Sequence, residues 1–210
     1  MHFYFDKPKL SVLDARTLED GSLYAKLYDA VSLQRRQKID ALRFQKDRRL
    51  SLAAGHLLEQ GLQELGVEEY EIQYGEYGKP YLKNVPDLHF SLSHSGNYAV
   101  CVFYHRPVGV DIQQIRPVSQ AVLKRVCTQE ERRFLEAQDP EKVPEAFCRL
   151  WTAKESFMKL EGRGLQISPN AIGVQLEPDL RLLFHEQIAS VTLEEYAIED
   201  HKITVATRTF

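Results

Sequence analysis

Hydrophobic positions change period repeatedly along this chain, and each change predicts a different kind of element. Over residues 32–65, Leu42, Leu50, Ala53, Ala54, Leu57, Leu58 and Leu62 recur at helical spacing ahead of Gly66, which predicts one long or broken helix. The period then drops to two. Leu88, Phe90 and Leu92 alternate with His89, Ser91 and Ser93, and a second apolar run covers residues 98–104. Ser95-Gly96-Asn97 between the runs predicts a tight turn. After Arg106-Pro107, VGVDI reads as a short apolar strand.

From Pro117 the pattern is helical again. Thr128 and Glu131 have capping-box spacing ahead of Arg133, Phe134 and Leu135. Pro144 suits the first turn of a helix running through AFCRLWTAKESFMKL to Gly162 and Gly164. Strands return over 172–176, 182–184, 191–198 and 203–205, with Pro178-Asp179 as a turn signal. Each half thus runs from helical material into antiparallel strands. The predicted fold class is α+β: two similar lobes related by a pseudo-twofold, each packing helices on a small antiparallel sheet, with the active site between them. The expected boundaries are 1–105 for the N-terminal lobe and 106–210 for the C-terminal lobe.

Composition narrows the classes. With 43% hydrophobic and 27% charged residues in 210, the chain has the material for a sizeable core. The 27 basic and 30 acidic residues leave a formal charge of -3, which argues against the long basic face of a nonspecific nucleic-acid binder. No stretch approaches the ~20 apolar residues of a membrane span, and MHFYFDKPKLSVLD carries Asp6, Lys7 and Lys9, so no membrane association is expected. Cys101, Cys127 and Cys148 lack paired metal-ligand spacing, and two sit in apolar surroundings. Buried thiols in a reducing compartment, the cytoplasm, are expected.

Candidate chemistry lies in the second half. Glu155 and Lys159, four residues apart, share a helix face with Trp151 and Thr152, while Leu150, Ala153 and Phe157 fall opposite. The ordinary explanation is a surface pair worth ~0.2–0.5 kcal/mol; the functional one is a charged cleft wall. Asp111, just past VGV, offers the oxygen ligand that hard divalent cations favour, or else caps a turn. His94, between Ser93 and Ser95 at a strand end, can meet an anion or be a hydrogen-bonded, partly buried ring. Lys79 in Gly78-Lys79-Pro80 is a point charge for a phosphate, or a polar turn residue.

Taken in order, YGKPYL, HFSLSHSG, VGVDIQ and RLWTAKESFMKLEGRGL resemble the 4'-phosphopantetheinyl transferase superfamily, particularly its surfactin (Sfp) type. In that branch a G-[IV]-D motif precedes [WF]-[STC]-x-K-E-[SA]-x-x-K; here these are Gly109-Val110-Asp111 and the nine residues from Trp151 to Lys159. The resemblance spans residues 75–165. It implies an enzyme, a holo-[acyl-carrier-protein] synthase or 4'-phosphopantetheinyl transferase, that moves the phosphopantetheine arm of coenzyme A to a serine of an apo acyl or peptidyl carrier and releases 3',5'-ADP. By the same resemblance Asp111, Glu155 and Lys159 are catalytic, and Mg²⁺ sits on Asp111 and Glu155 with Gln113 at the third position. Glu155 or a metal-bound water serves as base. Lys79, Ser93, His94, Lys154, Lys159 and Arg49 are the implied coenzyme A contacts.

Two departures from the family pattern matter. Gln113 stands where a Glu is frequent, which implies a weaker metal shell. In QKDRRLSLAAG, Asp47 fits, but Leu50 fills a position expected to be basic, leaving Arg49, and behind it Arg35 and Lys38, as substitutes. An acidic, helical carrier would dock on local cations. Lys124, Arg125, Arg132 and Arg133 are candidates, although each alone reads as solvated helix surface. A monomer is expected. Two rival readings exist: a noncatalytic coenzyme A or carrier-protein binding module, against which Asp111, Glu155 and Lys159 together argue, and a metal-dependent nuclease. The nuclease is disfavoured because Glu155 and Lys159 are spaced four apart on a helix rather than two apart on a strand, and because basic excess is lacking.

Overall fold

The predicted changes of period become elements in a computed structural model that describes residues 3–185 and 187–209, Leu165 by its backbone alone. Strand β1 (Lys9–Asp14) leads through a 3-10 turn into α1 (Gly21–Ala30), α2 (Leu33–Asp40) and α3 (Gln45–Glu64). Asp20 and Ser32 accept hydrogen bonds from first-turn N–H groups of α1 and α2. The helical stretch predicted over 32–65 is therefore broken, with Ala41 closing α2 and Phe44 opening α3. The hairpin of β2 (Ile72–Tyr74) and β3 (Pro80–Leu82) follows, then β4 (His89–Ser95) and β5 (Tyr98–Tyr104). Ser95 pairs with Tyr98, so Gly96 and Asn97 form a two-residue turn, and Gly96 takes φ +59°.

The second half repeats the plan. It runs β6 (Val108–Gln114), α4 (Gln120–Val126), α5 (Gln129–Glu136), α6 (Val143–Glu161), β7 (Ile172–Gln175), β8 (Arg181–Phe184), β9 (Gln187–Ile188), β10 (Val191–Ile198) and β11 (His201–Arg208). The capping box of Thr128 and Glu131 forms as predicted, and Gly162, at φ +71°, ends α6 in the left-handed conformation.

The two main sheets have the same order. In β1-β5-β4 and in β6-β11-β10 the last strand of the half is central, flanked by the first and the penultimate. This shared order is the structural form of the two-lobe expectation. Helix α3 buries Leu50, Leu57, Leu58 and Leu62 in one core with Phe90 and Phe103, and α6 buries Leu150, Ala153 and Phe157 in the other with Ile172 and Leu182. A third core joins the lobes, where Tyr98, Val100 and Val102 of β5 meet Val108, Val110 and Ile112 of β6.

Strands β4 and β6 run side by side in different hydrogen-bonded sheets. An open edge in that place would leave backbone N–H groups without partners. Serine side chains supply them: the Val110 N–H donates to Ser91 Oγ and the Gln114 N–H to Ser95 Oγ, both at 3.1 Å. Successive side chains alternate across a strand, so Ser91, Ser93 and Ser95 all turn toward β6.

Candidate active site

The alternation of β6 decides which residues meet α6. Val108, Val110 and Ile112 face the core between the lobes, so Gly109, Asp111 and Gln113 face the helix. A Cβ at Gly109 would collide with the Ser156 carbonyl oxygen and the Leu160 backbone nitrogen, so the helix lies directly on the strand at a point only glycine permits. Two residues on, Asp111 comes beneath Lys159. The Lys159 ammonium lies 2.7 Å from Asp111 Oδ1 and 2.8 Å from Ser93 Oγ, while the Ser93 hydroxyl donates to the same carboxylate oxygen at 2.7 Å. Residues from β4, β6 and α6 thus close a triangle. The Asp111 side chain is 7% exposed and that of Lys159 27%, so the ammonium forms the solvent-facing side.

Glu155, half-buried, stands one helical turn before Lys159. Burial, and after it the negative charge of Asp111, pushes its carboxyl above the usual range, with Lys159 opposing. Two carboxylates close enough to disturb one another make a place where a cation is favourable. Among the described residues no three or more His, Cys, Asp or Glu side chains gather as a metal cage. The carboxylate oxygens of Asp111 and Glu155 are donors of the kind a hard ion takes together with water and substrate oxygens, as Mg²⁺ would. Gln113, half-buried, lies on the same strand face as Asp111, and its backbone oxygen accepts from the Cys148 thiol at 3.2 Å.

Across the cleft, the His94 ring keeps a face in solvent. Withdrawal from water on its other side, and next the positive charges of Lys159 and Lys38, lower its basicity, opposed by Asp47. Lys38 of α2 thus joins Lys159 of α6 as a helical cation whose charge reaches His94. Arg49 goes elsewhere, to Glu19 at 3.1 Å, because it lies on a different side of α3 from Asp47. Arg35 lies across Gly55, packed against α3.

Two lysines occupy positions that the sequence did not suggest. Lys79 is no exposed turn residue: its ammonium donates to the Val108 and Leu160 carbonyl oxygens at 3.0 and 3.3 Å, bridging the lobes, and burial lowers its pKa to about 8. Lys154 corrects the expectation that it touches coenzyme A. Its side chain is 0% exposed, and its ammonium donates to Glu131 Oε2 at 2.6 Å, to the Val126 carbonyl at 2.8 Å and to the Pro169 carbonyl at 3.0 Å. An ammonium has three donors, and all three are used inside the C-terminal lobe. Neighbours on a helix diverge by about 100°, so with Glu155 in the cleft Lys154 turns into the core. Glu131 enters as its partner, visible in the sequence only as a capping residue. Lys124, Arg125 and Arg133 are exposed on α4 and α5, and Arg132 is half-buried.

Two family models match separate parts of the chain. Residues 107–206 match the 4'-phosphopantetheinyl transferase superfamily, and residues 21–105 match the family described as 4'-phosphopantetheinyl transferase, N-terminal. The chain is 34% identical over 153 residues to a 4'-phosphopantetheinyl transferase of Bacillus subtilis, covering 71% of this chain and 68% of the relative. It is 32% identical over 186 residues to 4'-phosphopantetheinyl transferase psf-1 of Bacillus pumilus, covering 85% and 79%. Over 104 residues it is 40% identical to 4'-phosphopantetheinyl transferase Sfp of Bacillus subtilis (strain 168), covering 50% and 46%.

Proposed function

The chain belongs to the 4'-phosphopantetheinyl transferase superfamily, and from that premise we propose that it moves the phosphopantetheine arm of coenzyme A onto a serine of an apo carrier protein in the cleft where β4, β6 and α6 meet. The observation that carries this reading is the triangle of Asp111, Ser93 and Lys159, with Glu155 one turn away and raised in pKa by burial and by Asp111.

Asp111 and Glu155 are the residues that would hold Mg²⁺, with the half-buried Gln113 on the same strand face as a neutral third donor. When bound, the ion supplies positive charge against the pyrophosphate of coenzyme A. The chain's own groups do the rest. Lys159, drawn partly to solvent, can exchange its bond to Asp111 for one to a phosphate oxygen and neutralise charge on the departing 3',5'-ADP. Ser93, His94 and Lys38 line the phosphate side, and Lys79 offers its remaining N–H. The carrier serine oxygen attacks the phosphorus of the arm as the bond to the bridging pyrophosphate oxygen breaks. Glu155, or a water held beside it, would take the serine proton.

An acidic, helical carrier would meet Lys124, Arg125, Arg132 and Arg133 on α4 and α5. No helix among the described residues is long and apolar enough to cross a membrane. Cys101, Cys127 and Cys148 are buried, unbridged thiols, which fits a reducing compartment such as the cytoplasm. The test is incubation with coenzyme A, Mg²⁺ and several apo carriers, read by intact mass. A mass gain of one phosphopantetheine arm is expected, and no gain on any carrier would overturn the reading.

A further inference from the structure

Next to Glu155 in the chain lies an ion pair that the transfer reaction does not use. The Glu131 carboxylate, 2% exposed, accepts from Lys154, from the Thr128 N–H at 2.8 Å and from the Val174 N–H at 2.8 Å. Lys154 adds the carbonyls of Val126 and Pro169. Five segments therefore converge on two side chains: the end of α4, the cap of α5, the 3-10 turn Pro169–Ala171, β7 and α6. A fully buried pair gains little over apolar residues of the same volume, so net stability is a poor account of it. Its geometry explains more. Successive residues on a helix differ in direction by about 100°, so holding Lys154 inward fixes the direction of Glu155. A second anchor, the 2.8 Å bond between the Thr152 and Thr204 hydroxyls, ties the same turn of α6 to β11, where Thr204 pairs with Asp111.

Resting on the transferase reading, we propose that Lys154 is a positioning residue for the reaction: clamped by Glu131, it sets the rotation of α6 that brings Glu155 beside Asp111. Lys154 is then a determinant of metal binding that touches neither metal nor coenzyme A.

The test compares wild type, Lys154→Met, and the pair Lys154→Met with Glu131→Gln in the full chain. Three quantities are read: titration of the Glu155 carboxyl by carbon NMR in Mg²⁺-free protein, Mg²⁺ binding by calorimetry with coenzyme A but no acceptor, and kcat and KM for coenzyme A. In Lys154→Met the Glu155 titration should fall toward the ordinary carboxylate range. Mg²⁺ affinity should drop about tenfold or more, as for other supporting residues, with KM for coenzyme A unchanged at saturating Mg²⁺. The pair leaves no unpartnered buried charge, so it carries the same measurements should the single variant fail to fold. A raised KM with Mg²⁺ affinity and the Glu155 titration unmoved would make Lys154 a phosphate ligand and overturn the proposal. A lowered melting temperature with the other readouts unmoved would make it structural only, and overturn it equally. Wild type that neither binds Mg²⁺ with coenzyme A nor modifies a carrier sinks the transferase reading itself, and this inference with it; active wild type beside an unmoved variant sinks this inference alone.

Discussion

The Lys159 ammonium lies 2.7 Å from Asp111 Oδ1, across the seam where α6 rests on β6. The same nitrogen is 2.8 Å from Ser93 Oγ, so one cation holds together strands that belong to different sheets. The arrangement keeps the buried carboxylate paired while its partner, 27% exposed, forms the solvent side.

Replacing Lys159 by Met should therefore reduce kcat for carrier modification on the order of 10²-fold, the scale for losing one charge-stabilising group at a reaction centre. Steady-state kinetics checks this, and a variant with wild-type kcat would remove Lys159 from the chemistry.

Glu155 gives a prediction with opposite signs for stability and activity. Its carboxyl titrates higher in the folded chain than unfolded, so the folded chain binds more protons between the ordinary value and the raised one. Stability from this group falls as pH rises through that window, and the cost is fully present above it. Glu155→Gln should melt above wild type at neutral pH without Mg²⁺, the gap closing in acid below the ordinary carboxylate range, while transfer is lost. Melting curves across pH decide it.

Lys79 runs the other way in alkali. Its pKa of about 8, against the 10.5 of an unperturbed lysine, means the folded chain binds fewer protons between those two values. Stability from Lys79 should rise as pH climbs through that window, and the cost of burying the charge is fully present below it. The stability of wild type minus that of Lys79→Met should increase across this range in urea titrations; a flat difference would mean that the ammonium is well solvated.

The serine seam is open to a direct test. Ser91→Ala leaves the Val110 N–H buried without its partner and should cost about 1–3 kcal/mol in urea unfolding. Ser95→Ala should cost less, because Ser95 and Gln114 are only half-buried and water can replace the hydroxyl.

At Gln113, a carboxylate would add charge on the face that carries Asp111. Gln113→Glu should lower the Mg²⁺ concentration needed for half-maximal transfer, since more ligand charge strengthens binding of a hard cation. An unchanged Mg²⁺ requirement would place residue 113 outside the metal's reach.

Much of this protein follows from its residues in order. Alternation across Leu88, Phe90 and Leu92 and the turn at Gly96 specify a hairpin, Thr128 and Glu131 specify a helix start, and Pro144 and Gly162 bracket the helix that carries Glu155 and Lys159. Those signals are local, because periodicity and capping depend on neighbours within a few positions. Strand β1 and helix α1 gave weaker local signals: in β1, only Leu10, Val12 and Leu13 among six residues are apolar, and its pairing partner β5 lies far along the chain. The motif residues Asp111, Glu155 and Lys159 were legible as types at set spacings. Their meeting depends on Gly109 letting α6 down onto β6 and on the serines of β4 closing the other edge. What each lysine does was decided by tertiary structure alone. Lys154 and Lys159 stand five residues apart in one motif. The helix turns the first into a core where Glu131 waits and the second into a cleft beside Asp111, because burial and partner choice come from segments that only folding brings together.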